Sequence, residues 1–249
     1  MTRVITIQET GRGIAYNADG TVFHSTDGMP GLGGEPLRST LTNLSERDAP
    51  LHREMLPDAI PAKRRQLFAS SAMPVFGAAI NEARRFKSDA IAADARQREP
   101  VMTVDPVIAV ETRATARTLD ASAQAKWVEA ADLAGLTVVG ASGNPANLIE
   151  TIFERAQERY WVENWIARHN AEGGHPAEPT VEMVLATGPN MNAVRAEAEH
   201  YRKANIDRLS EIDQMEAAAQ SLVHFISVLF DMAPQEALDM AMGRDRAKA

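Results

Sequence analysis

The chain has 249 residues and 27.1 kDa, 45% of them apolar and 24% charged, with a formal net charge of −8 and no cysteine. That length allows one large domain or two small ones, and the missing cysteine excludes disulfides, thiolate metal sites and a cysteine nucleophile. Mean hydropathy is −0.26, no apolar run approaches the roughly 18 residues of a membrane span, and Glu9 interrupts the place of a signal core, so neither a membrane partner nor export is expected.

Alanine accounts for 42 residues, against seven Phe, three Trp and three Tyr. Alanine is the best helix former and strands favour aromatic and β-branched residues, so the bias predicts a mainly α (α+β) fold: a helical bundle with a small N-terminal β element. Charge is unevenly distributed. Residues 61–98 hold eight basic and three acidic side chains, whereas 99–190 hold six and thirteen. The basic stretch, with Arg64, Arg65, Arg84, Arg85 and Lys87, is a candidate nucleic-acid face. The acidity of the whole chain opposes that reading, because such affinity comes mostly from neutralising phosphates.

In chain order, Val4, Ile5 and Ile7 begin a strand region, and Asn17-Ala18-Asp19-Gly20 between two β-prone runs predicts a hairpin. Residues 24–60 are punctuated by Gly28, Gly31, Gly33 and Gly34 and by Pro30, Pro36, Pro50 and Pro57, and read as an extended arm with few contacts to its own fold. From Pro61 the pattern turns helical, with Pro74 expected to split it. Residues 101–110 read as an edge strand or connector. A helix is expected over 121–134, a short strand over 136–139, and a long helix from Pro145 to His169 with Asn144 as its cap. Residues 171–189 form a linker with a short element. A helix of about 40 residues starts near Asn190 or Asn192, and a final short helix opens at Pro234. The expected organisation is therefore 1–60 (hairpin and arm), 61–170 (helical core), 171–189 (linker) and 190–249 (C-terminal helices).

Two features carry the chemistry. Residues 140–145, Gly-Ala-Ser-Gly-Asn-Pro, sit between an expected strand and a helix N-terminus, where free amides and the helix dipole favour an anion. Over about ten residues this string resembles the start of a CoA- or dinucleotide-binding Rossmann unit. That resemblance implies a phosphate site at Gly140, Ser142, Gly143 and Asn144 of a nucleotide- or CoA-binding enzyme, provided 101–110 and 136–139 pair as parallel strands beneath it. The alternative is a plain connection between packed helices, with no cofactor. Ser142 does not fit a nucleophile elbow, since glycine follows it directly. The six histidines lack metal-ligand spacing, so no metal is expected.

The second feature is interaction surface. Leu209, Ile212, Leu222, Phe225, Ile226 and Leu229 mark an apolar stripe that broadens toward 222–230, and Tyr160, Trp161 and Trp165 form the densest aromatic cluster. Together with the arm and the charge blocks they lead to the expectation of a non-enzymatic structural or assembly protein. Its partners would be copies of itself or other subunits of a particle such as a virion assembled in the cytoplasm.

Overall fold

The computed structural model describes residues 4–140, 143–181 and 185–244. The chain is mainly helical with a small antiparallel sheet at its N-terminal end, as the composition predicts. It divides into two compact units, one made of residues 1–89 and 209–249, the other of residues 90–208. Both boundaries fall inside a helix.

In the first unit, β1 (Thr6–Thr10), β2 (Gly13–Ala18) and β3 (Thr21–Thr26) form a meander in the order β1-β2-β3. The turn between β2 and β3 places Asp19 at φ 50° and Gly20 at φ 91°, the paired left-handed conformation that a two-residue hairpin loop requires. The Gly20 N–H donates to Asn17 Oδ1 at 3.0 Å. Tyr16 faces Phe23 across the register, and both are fully buried.

The extended arm expected over 24–60 is absent. Residues 35–54 form a helix, α1 (Glu35–Glu54), which opens on Pro36 and buries Leu37, Leu41, Leu44 and Leu51. Proline is favoured in a first helical turn because its missing N–H would have no partner there, and the leucines recur at helical spacing. The segment thus lies in the core of the unit. Next comes α2 (Ile60–Arg98), which runs through Pro74 without the predicted break. Pro74 is on the exposed side of the helix, while Met73 and Phe76 beside it are buried. The C-terminal elements are α7 (Met191–Phe230) and α8 (Pro234–Ala241), close to the expected bounds. Gly77 lets α8 dock: a Cβ there would stand 2.0 Å from the Ala241 carbonyl oxygen.

The second unit takes the end of α2, then α3 (Pro106–Thr118), α4 (Ala121–Ala130), α5 (Leu133–Gly140), α6 (Glu150–His169) and the start of α7. Three sequence expectations are corrected here. Residues 106–110 are helical, with Asp105 accepting from the Val107 and Ile108 amides and Pro106 in the first turn. Residues 136–139 are helical too, and the Thr137 hydroxyl donates to the Leu133 carbonyl one turn back. The helix expected over 121–134 stops at Ala130, and Asp132 opens α5 by accepting from Gly135 N–H at 2.8 Å. Buried Asn164 closes the end of α2: its amide donates to the carbonyls of Gln97 and Glu99, and its oxygen accepts from Val101 N–H. An isolated antiparallel bridge joins Pro176 to Pro189.

Candidate functional site

The 140–145 segment lacks the strand support that its resemblance to a Rossmann unit requires. Neither 101–110 nor 136–139 is a strand, so no parallel pair underlies it. Gly140 is the last residue of α5 and is buried, and a Cβ there would come within 2.9 Å of the Ala156 carbonyl oxygen. The glycine serves close packing between α5 and α6. Gly143 is exposed at φ 32°, and Ser142 lies outside the described residues. Asn144 closes a local loop, with Nδ2 donating to the Leu148 carbonyl and Oδ1 accepting from Leu148 N–H. It does not cap α6, which begins six residues later. Glu150 already places a negative charge in the first turn of α6, where an anion would be repelled.

The expected interaction residues are largely occupied within their own units. Leu222, Phe225, Ile226 and Leu229 have no exposure, Ile212 is 8% exposed and Leu209 is half-buried. Leu222, Phe225, Ile226 and Leu229 pack with Phe23, Phe68 and Phe76 in the core of the first unit. In the second unit Tyr160, Trp161 and Trp165 are buried as well. Trp165 stacks on Tyr201 at 5.0 Å between centroids. The Tyr160 hydroxyl donates to the Arg98 carbonyl at 2.8 Å, and burial pushes its phenol pKa up. Of the candidate basic face, Arg65 donates to the carbonyls of Phe230 and Asp231, and Lys87 pairs with Glu216.

Arg64 is fully buried. Its Nε donates to Asp48 Oδ1 at 2.6 Å and its Nη2 to Asp48 Oδ2 at 2.8 Å. Asp48, also fully buried, further accepts from Ile5 N–H at 3.1 Å, and His52 Nε2 stands 3.2 Å from it. Asp19 lies 3.7 Å from the Arg64 guanidinium. The cluster ties the start of the sheet region to α1 and α2. A bidentate, fully enclosed carboxylate suits that tie, since each partner satisfies the charge of the other. Among the described residues no group of three or more His, Asp and Glu side chains could hold a metal ion, and no single helix is long and apolar enough to cross a membrane.

What sequence reasoning missed lies on α3. Val107, Ile108 and Val110 are 66%, 55% and 60% exposed, and Ala116 is the buried residue of this helix. Beside this apolar face runs a groove of about 640 Å³, walled by Val104, Ile108, Trp127 and Val138, with Glu111 and Asp132 as its charged lining. Reading 101–110 as a strand hid the face, because only a helical turn brings 108, 111, 112 and 115 to one side. Elsewhere in the second unit, on α4 and α6, Glu129 and Arg155 form a surface pair at 2.7 Å. The hydrogen bond from Arg155 holds the Glu129 carboxyl below its ordinary pKa, and Glu129 in turn raises that of the guanidinium.

Comparison with protein-family models, curated proteins and solved structures finds no match to this chain.

Proposed function

We propose that the protein is a non-enzymatic subunit of a larger assembly, such as a particle put together in the cytoplasm, and that it works through protein–protein contacts. The observation that supports this reading is the exposed apolar face of α3. A 13-residue helix that turns Val107, Ile108 and Val110 outward beside a groove directs its most hydrophobic side chains toward contact with something else. The 222–229 end of the C-terminal stripe, which first pointed to assembly, is used in the core of the first unit, and the exposed face of α3 supports a contact surface in the second.

A photo-reactive amino acid placed at Val107 or Val110 in cells tests the reading. A discrete cross-linked product of fixed mass is expected from both positions and not from exposed Ala125 on α4. Absence of any such product from either position would overturn it.

A further inference from the structure

The α3 groove also restricts what it can accept. Its lining mixes apolar Val104, Ile108, Trp127 and Val138 with the polar Thr112 and Thr115, and the charged side chains that line it, Glu111 and Asp132, are both acidic. Glu111 is exposed in the middle of α3, and among the described residues it makes no ion pair. Asp132 uses one carboxylate oxygen to cap α5 and keeps its charge at the groove's edge. The unit as a whole has the same sign, with seventeen acidic against twelve basic side chains over residues 90–208, and Arg113 and Arg117 of α3 and Lys126 of α4 lie outside the groove lining. Pairing this face with itself in a second copy would set acid against acid, because every charge lining it is negative. A partner helix bearing Lys or Arg beside an apolar stripe meets both the walls and the charges.

We propose that the groove between α3, α4 and α5 is the docking site for a basic amphipathic helix supplied by a different polypeptide. This rests on the assembly reading above and names the partner's chemistry. Helix-in-groove recognition places the apolar stripe of the incoming helix against the groove floor. The flanking cations at the rim then select the partner and speed its encounter more than they add affinity. Ile108 and Trp127 would take the apolar stripe, and Glu111 and Asp132 would take the flanking cations.

The test uses the full chain and two fluorescent 18-residue helical peptides with the same leucine stripe, one flanked by lysines and the other by glutamates. Fluorescence anisotropy at low salt is expected to show the lysine peptide binding at least tenfold more tightly, with the gap shrinking as salt screens the rim. Glu111→Lys is expected to reverse or abolish the preference. Asp132→Asn, which retains the capping oxygen, is expected to reduce it, and Ile108→Asp to remove binding of both peptides. These positions are exposed, and far-UV circular dichroism confirms that each variant is folded. Equal affinity for the two peptides overturns the proposal while leaving the assembly reading in place. So does concentration-dependent self-association that Ile108→Asp abolishes, which would identify a second copy as the occupant. Failure of both peptides to bind, when Val107 still cross-links in cells, likewise rejects the basic helix alone.

Discussion

Asp48 sits where the leucine stripe of α1 would place another apolar residue, between Leu44 and Leu51, and it is fully buried against Arg64. Removing one member of such a pair leaves the other charged, enclosed and unpaired, which costs about 3–5 kcal/mol. Asp48→Ala is therefore expected to lower unfolding free energy by about that amount in urea titrations. The double variant Asp48→Leu, Arg64→Met should recover most of the loss, since replacing both partners with apolar groups of similar size is often neutral. Tyr160 gives a second test. Its folded pKa is raised by burial, so its contribution to stability is complete below the unfolded value of about 10 and is lost as pH rises through the folded value. The melting temperature should fall on going from pH 9 to above pH 10, and Tyr160→Phe should flatten that difference. Neither role is visible from composition: Arg64 reads as one member of a basic run, and only the fold shows that it points inward.

The elements that were legible are those in which local chemistry and burial agree. The Asp19-Gly20 turn, the 40-residue α7 and the opening of α8 on Pro234 follow from residue type and spacing alone. Those misread share a conflict between propensity and position. Valine-rich 106–110 and 136–139 favour strands locally, yet both are helical because capping at Asp105 and Asp132 and packing against neighbouring helices outweigh a propensity difference of a few tenths of a kcal/mol per residue. In α1 the leucine stripe is masked by the glycines and prolines of 28–36 that precede it. Two glycines in α5 make the packing argument testable. Gly135→Ala meets nothing closer than 3.4 Å and should stabilise by up to about 1 kcal/mol through helix propensity. Gly140→Ala, at the end of the helix where propensity counts for less, drives a Cβ to 2.9 Å from the Ala156 carbonyl oxygen and should instead destabilise by about 1–3 kcal/mol. Thermal melts of the two variants should move in opposite directions.

For the molecule as a whole, helix content was legible in its alanine, but the candidate site was not, because it depends on which way a misassigned segment faces. The apolar stripe of α7 pointed to association, and its 222–229 end fills the core of the first unit. Periodicity identifies a face that must be covered without saying whether the cover comes from the same chain. That unit is also divided in sequence, with residues 1–89 on one side and 209–249 on the other. During synthesis its two parts therefore emerge from the ribosome separated by the 119 residues of the second unit. The sheet, α1 and the first part of α2 must wait, with Phe23, Phe68 and Phe76 uncovered, until Leu222, Phe225 and Leu229 have been translated. The second unit, being continuous, is complete much earlier. A released chain truncated at Arg208 should thus yield to protease within 4–89 while 90–208 resists, and the waiting segment is the one that chaperones would have reason to hold.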